Sequence, residues 1–138
     1  MSTDATFVRD RLEIVNLIHS YAHHADSGNN AGFCSLFVDD ARIDVGFPGV
    51  TDKASLMNMM KQRPARSVGS KMRHVMSNMM FKSQTPDEAN GALYFTLMST
   101  EANQLTPLVT GQYTFTVARA GDDWRIKSWK AEMDGKLG

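Results

Sequence analysis

The spacing of the apolar residues changes once along the chain, and this change limits the folds that are possible. Up to about residue 62 the apolar residues recur at three- and four-residue steps, which is the spacing of amphipathic helices. From about Met72 onward, short segments alternate as β-strands do and are separated by short polar connections. Short connections make consecutive strands antiparallel. Helices followed by such a sheet predict an α+β fold.

Three helices and five strands are predicted. The helices cover residues 4–27, about 30–37 and 52–62, and one strand, ARIDVGF, lies between the second and the third. The other strands are MRHVMSNMMFKS, GALYFTLMST, LVTGQYTFTVAR and DWRIKSWKAEM. A sheet can enclose the long first helix only if it curls around that helix. We therefore expect one domain over residues 1–138, with three N-terminal helices packed into a strongly curved, mostly antiparallel sheet.

Composition and charge exclude several classes of protein. Fifteen Lys plus Arg balance fifteen Asp plus Glu, so no overall charge attracts nucleic acid. The chain has no apolar run of transmembrane length, and its first residues, MSTDATFVRD, lack the features of a signal peptide, which predicts a cytoplasmic protein. The single cysteine, Cys34, excludes an intramolecular disulfide framework and a multi-cysteine zinc site.

The predicted strands carry apolar residues on both faces. In NGALYFTLMST, Leu93 and Phe95 point to one side of the sheet, whereas Tyr94 and Met98 point to the other. The predicted helices can cover only one of these faces. We therefore expect a second copy of the chain to cover the other, in a homo-oligomer (a dimer or a trimer) formed through the sheet.

The segment HSYAHHAD, residues 19–26, places three histidines and a carboxylate near the end of the first helix. At about 100° per residue, Asp26 falls on the same arc of the helix as Val8, Leu12 and Val15. A carboxylate inside an apolar arc needs a cationic or hydrogen-bonding partner, because desolvation penalises its charged form. Asp26 is therefore a candidate functional residue, although a frayed last turn could instead direct it outward.

His74 is the candidate partner of Asp26, since it is the one histidine outside the first helix. Strand alternation places His74 on one face together with Met76 and Asn78. A lone histidine in an apolar strand is more often a core residue than a catalyst. An inward carboxylate facing an inward imidazole nevertheless makes a general-base dyad, in which the carboxylate fixes the tautomer and stabilises the imidazolium.

A metal site is the alternative for the histidine-rich segment. His19, His23 and Asp26 have a spacing that could hold an ion on one side of the helix. No metalloenzyme signature accompanies them, and His23 and His24 are most simply explained as a solvated helix face. We therefore predict that this segment holds no metal ion.

Four segments give the chain a resemblance to a known family: LIHSYAHHADSGN, FCSLFVDDARIDVG, RHVMSN and YTFTVARAGDDWRIKSW. In these segments the chain resembles the SnoaL-like branch of the nuclear transport factor 2-like superfamily, which implies a cone-shaped single domain. It is most similar to the group with scytalone dehydratase, bile acid 7α-dehydratase and hexachlorocyclohexane dehydrochlorinase. The resemblance implies that Asp26 and His74 are catalytic and that Tyr21 assists them. Scytalone dehydratase has a second pocket histidine, and no histidine follows His74 here, so the leaving group stays open.

The resemblance implies a lyase that removes a C–H proton without a cofactor. The many methionines favour an adaptable apolar pocket and a small, hydrophobic, ring-bearing substrate. The predicted substrate-binding residues are Asn78, as a further hydrogen-bond donor, together with Met76, Phe47, Met60 and Trp129. A ketosteroid isomerase-like isomerase, a polyketide cyclase and a non-catalytic binding protein stay open as alternatives. For Tyr21, a plain core position is the alternative to a catalytic role.

Overall fold

Three helices pack on a five-stranded sheet in the computed structural model, which describes residues 4–63 and 70–136. The elements are, in chain order, α1 (Ala5–Ser27), α2 (Asn30–Ser35), β1 (Phe37–Asp44), α3 (Lys53–Lys61), β2 (Met72–Gln84), β3 (Glu88–Glu101), β4 (Gln104–Ala120) and β5 (Asp123–Lys136). The prediction of an α+β fold is confirmed. None of the helices in the described residues is both long and apolar enough to cross a membrane.

The sheet has the strand order β1-β5-β4-β3-β2. Strands β2 to β5 form an antiparallel meander, as their short connections predict. Strand β1 is the exception, because it pairs in parallel with β5, where Ile43 lies opposite Trp129. The first strand of the chain therefore lies at one edge of the sheet, and β2 lies at the other.

The core lies between the helices and one face of the sheet. Ile14 and Ile18 of α1 are fully buried there, against side chains such as Phe115 of β4 and Ile126 of β5. The other face of the sheet exposes large apolar side chains, namely Val75, Met80 and Tyr94. Both faces of the sheet thus carry apolar side chains, and the helices of the described residues cover one of the two faces.

The buried side of α1 differs in part from the predicted arc. Val8 and Leu12 are 50% and 65% exposed, whereas Ile14, Leu17 and Tyr21 are buried. Apolar residues surround much of this helix, so the pattern alone leaves its orientation open. Packing against the sheet buries the side that carries the larger residues. The predicted arc is therefore right for Ile18 and Ala22, which also fall on it and are buried, and wrong for Val8 and Leu12.

A β-bulge interrupts the alternation of β2. The register with β3 shifts between Ser77 and Met80, and Asn78 adopts a positive φ of 55°. Beyond this bulge Met79 packs against the core, while Asn78 is exposed. An inserted residue reverses the face of every later side chain. The prediction that Asn78 shares the inward face of His74 is therefore wrong.

The ends of α1 are set by capping residues. The Asp4 side chain accepts a hydrogen bond from the backbone N–H of Phe7 at the start. At the end, Gly28 has the left-handed φ of 73°, and the N–H of Asn29 donates to the carbonyl of His24. This C-cap ends the helix two residues after Asp26, so the carboxylate projects from the last turn.

Candidate active site

Asp26 and His74 are brought together by the last turn of α1 and the start of β2. His74 Nδ1 lies 2.6 Å from Asp26 Oδ1, and the backbone N–H of His74 donates to Oδ2 at 3.0 Å. His74 therefore forms a hydrogen bond with each oxygen of the Asp26 carboxylate. The side chains are only 12% (Asp26) and 14% (His74) exposed.

The hydrogen bond between these side chains defines the tautomer of the imidazole. An ionised carboxylate can only accept, so Nδ1 of a neutral His74 must carry the proton. Nε2 then keeps a lone pair that can take a proton from another molecule. The arrangement is that of a general base oriented by a carboxylate.

Tyr21 lies beside this pair, one and a half turns before Asp26 on α1. Its ring meets the imidazole of His74 edge-on, with the ring centroids 5.9 Å apart. Burial raises the pKa of the Tyr21 hydroxyl to about 12, although Tyr113, Trp129 and Arg63 act in the opposite direction. The phenol consequently keeps its proton at neutral pH and can donate a hydrogen bond.

Two aromatic residues of the sheet surround the phenol of Tyr21. Trp129 of β5 stacks on its ring at 4.4 Å, and Tyr113 of β4 meets it edge-on at 5.4 Å. Burial raises the pKa of Tyr113, and its neighbours Tyr21 and Asp26 raise it further. The indole N–H of Trp129 lies close enough to lower the pKa of Tyr21, yet it has no well-formed hydrogen bond.

Tyr113 is a site residue that the sequence analysis did not find. It alternates with Phe115 and Val117, which are equally buried on β4. This pattern shows that Tyr113 faces the core. Its proximity to Tyr21 depends on how β4 is positioned relative to α1, and no local pattern specifies that.

A cavity of about 980 Å³ opens at the dyad. Asp26 and His74 form part of its wall, and Met60 of α3 contributes an apolar side chain. Several of its other described lining residues are basic: Arg63, Lys71 and Arg73. The cavity is large enough for a small organic molecule.

The predicted substrate-binding residues are divided between the cavity, the core and the surface. Met60 lines the cavity. Trp129, which contacts Tyr21, and Met76, which is half-buried against the core, are absent from the described lining of the cavity, as is Tyr21 itself. Asn78 is exposed at the bulge of β2. Phe47 is 47% exposed in the turn after β1 and is absent from the described lining of the cavity. The structure therefore places neither Asn78 nor Phe47 in the site.

The possible metal ligands of α1 are not assembled. His19 and His23 are exposed, while Asp26 is bound by His74. Across residues 4–63 and 70–136, no group of three His, Cys, Asp or Glu side chains could hold an ion.

A family model for the SnoaL-like domain matches residues 6–130. The chain belongs to this family. The resemblance to SnoaL-like and nuclear transport factor 2-like proteins is thereby confirmed. A comparison with curated protein sequences returns no match.

Solved structures share the fold at low sequence identity. A nuclear transport factor 2-like protein with a cystatin-like fold from Novosphingobium aromaticivorans has a TM-score of 0.78 at 21% identity, and the match covers 99% of this chain and 95% of that one. A protein of the same bacterium, provisionally named a scytalone dehydratase, has a TM-score of 0.76 at 20% identity and coverages of 96% and 89%. Aln2 from a Streptomyces species has a TM-score of 0.79 at 20% identity, with 91% of each chain covered.

Proposed function

We propose that this protein is a cofactor-independent lyase of the dehydratase type, acting on a small, hydrophobic, cyclic molecule. The observation that carries the proposal is the hydrogen-bonded pair of Asp26 and His74 in the wall of a cavity. A carboxylate that holds Nδ1 leaves Nε2 as the base. A binding protein has no need of this arrangement, whereas in a proton-transfer enzyme it orients the general base.

In the proposed reaction, Nε2 of His74 takes a proton from a carbon next to a carbonyl. The electron pair of that C–H bond becomes the new C=C bond, and the leaving oxygen on the adjacent carbon departs with the electrons of its own bond. Asp26 stabilises the imidazolium that forms. Tyr21, whose ring adjoins the imidazole, donates a hydrogen bond to an oxygen atom that gains negative charge. The imidazolium returns a proton to the departing hydroxide, which leaves as water.

The comparisons support this class of activity. The structural relative that is provisionally named a scytalone dehydratase has the same fold as this chain. SnoaL-like domains form a family of small-molecule-binding proteins, lyases and isomerases. The choice of elimination within this range rests on the dyad and on the resemblance described above.

An isomerase of the ketosteroid type is the second candidate. The proximity of the phenols of Tyr21 and Tyr113 favours it, because two phenols can stabilise the oxygen of an enolate. In this case His74 would return the proton to a different carbon, and no group would leave.

The experiment that tests the proposal is deuterium exchange, followed by NMR, in a panel of cyclic ketones and hydroxy-ketones dissolved in D₂O. We expect exchange or elimination with the wild type and a loss of about 10²- to 10⁴-fold in His74→Gln. His19→Gln is the matched control, because His19 is an exposed histidine of α1. Compounds that bind without exchange would instead indicate a binding protein, and unaltered exchange in His74→Gln would exclude His74 as the base.

The setting of the enzyme is part of the same proposal. We propose that the exposed face around Val75, Met80 and Tyr94 joins copies of the chain into a homo-oligomer. Light scattering on Val75→Lys/Tyr94→Lys should give a monomer, and a monomeric wild type would contradict this part.

Cys34 is a buried free thiol, which agrees with the proposed cytoplasmic location.

A further inference from the structure

Positive charge is concentrated around the cavity that contains the dyad. Arg63, Lys71 and Arg73 line it, and Asp26 is the one carboxylate among its described lining residues. Asp26 is already hydrogen-bonded to His74. The chain as a whole has no net charge, so this local excess of cations is not a consequence of composition.

Basic residues of the described chain fall into two groups. Five of them form an ion pair with an Asp or Glu side chain, namely Lys53, Arg119, Arg125, Lys127 and Lys130. Others in the described part of the chain, such as Arg42 and Lys82, form none. Within the described residues, Arg63, Lys71 and Arg73 have no ion-pair partner. Arg73 donates only to the neighbouring carbonyl of Met72, at 3.1 Å. Their charges are therefore available to a bound anion.

The position of Arg63 links the basic residues to the reaction centre. Arg63 directly follows α3 and its Gln62 C-cap, and its charge lowers the pKa of the buried Tyr21 hydroxyl. Arg63 and His74 also line the same cavity. An anion bound by Arg63 would therefore share this cavity with the imidazole, and one small ring-bearing molecule could contact both.

We propose that the substrate carries an anionic group, a carboxylate or a phosphate, which Arg63 and Lys71 bind at the cavity, while Arg73, which alternates with His74 on β2, adds positive charge nearby. The apolar ring of the same molecule then extends past Met60 toward His74. This inference rests on the proposed function in one respect, since it assigns the reacting carbon to the ring. The recognition of the anion itself does not depend on catalysis.

Binding of three probes of one shape tests the inference. The probes are 2-naphthoate, 2-naphthyl phosphate and the neutral 2-naphthamide, titrated by calorimetry and by amide NMR. We expect at least one anion to bind about tenfold more tightly than the amide, because charge-assisted hydrogen bonds exceed neutral ones by this amount. The tighter of the two anions identifies the acidic group. Added salt should weaken the preference.

A double variant locates the effect. In Arg63→Gln/Lys71→Gln the preference for the anions should fall to about onefold to twofold. Arg42→Gln/Lys82→Gln is the matched control, because it removes the same charge from exposed positions outside the described lining, and it should keep the preference. An equal affinity for anion and amide in the wild type would overturn the inference. A preference that survives in the first variant, or no perturbation by either anion at millimolar concentration, would do so as well.

The readout separates this inference from the proposed function. Binding of the probes needs no proton transfer, so it can be measured in His74→Gln. A protein that prefers the anions without catalysing exchange would retain the anion site and lose the proposed lyase activity. Exchange of neutral ketones without any preference for anions would support the proposed proton transfer and exclude the anion site.

Discussion

The two ends of α1 each present an aspartate to a strand, and their surroundings differ. Asp26 near the C-terminal end contacts the imidazole of His74, and Asp10 near the N-terminal end accepts a hydrogen bond from Arg119 Nη2 at 2.7 Å. Asp10 is the more buried of the two, with a side chain that is 3% exposed against 12% for Asp26. In both cases a side-chain nitrogen of a sheet residue binds the carboxylate.

The partner determines what each carboxylate can do. Arg119 also donates to the carbonyl of Pro86 and packs on the ring of Trp124, so it is fixed in a structural network. A guanidinium keeps its proton at any physiological pH, whereas an imidazole can gain and lose one. A cavity of about 360 Å³ adjoins Asp10, but its described lining contains no histidine or cysteine. A buried aspartate with a bound side-chain partner is therefore a candidate catalytic site only when that partner can transfer a proton.

The largest expected effect is on the rate of exchange in Asp26→Asn. The amide nitrogen of the new side chain would face Nδ1 of His74 and donate to it, which moves the ring proton to Nε2 and removes the base. We expect exchange to fall about 10²-fold or more. The free energy of unfolding should change by only about 1 kcal/mol, since hydrogen bonds are exchanged and not lost. Full activity in this variant would separate Asp26 from the mechanism.

Asp10→Asn should have the opposite profile. This change leaves the guanidinium of Arg119 without its counter-ion, and breaking a fully buried pair costs about 3–5 kcal/mol. Because the Arg119 side chain is 28% exposed and partly solvated, we expect a loss of about 2 kcal/mol in the free energy of unfolding. Urea denaturation measures this loss. The rate of exchange per folded molecule should stay unchanged, and a falling rate would show that the two ends are coupled.

Tyr21→Phe should alter how stability depends on pH. The pKa of Tyr21 is raised from 10.0 to about 12, so between these values the folded chain keeps a proton that the unfolded chain loses. Stability therefore falls as the pH rises through this range, by about 1.4 kcal/mol per pH unit for this group. Denaturation curves should show a shallower slope in Tyr21→Phe. The pKa of Tyr113 is also raised, so Tyr113 still contributes to the slope in the variant. A slope equal to that of the wild type would mean that the Tyr21 hydroxyl is solvated.

The smallest effect is expected for Asn78→Gly. Glycine accepts the positive φ of 55° at the bulge, and the side chain that it replaces is exposed. The free energy of unfolding should change by less than about 0.5 kcal/mol, and exchange should be unaffected. A tenfold loss of activity would mean that Asn78 reaches the substrate after all. The bulge would then form part of the site.

The sequence predicts the elements well because periodicity and capping residues act locally. The end of α1 follows from Gly28, and the meander follows from short connections between strands. The proximity of Asp26 and His74 was expected although the predicted arc was wrong for Val8 and Leu12. A carboxylate one turn from a helix end can reach a neighbouring strand from the edge of the buried face.

The failures concern features that only tertiary structure decides. The bulge at Asn78 depends on how β2 meets β3, where Gly91 leaves room for the carbonyl of Met80. A substituted β-carbon at Gly91 would collide with that carbonyl. Likewise, the contact between Tyr21 and Tyr113 joins residues that are distant in the chain. Alternation identifies an inward face, but it does not identify the partner across the core.

The position of β5 between β1 and β4 has a consequence for the order in which the protein can be assembled. Strand β1 has β5 as its neighbour in the sheet, so Phe37 cannot form its strand pairing until Ile126 has been synthesised. Trp129, which supports Tyr21, is made later still. Contacts of such long sequence separation slow folding. A ribosome-bound chain that already contains Asp26 and His74 therefore still lacks the strand behind Tyr21, and the candidate site stays incomplete until β5 has been synthesised.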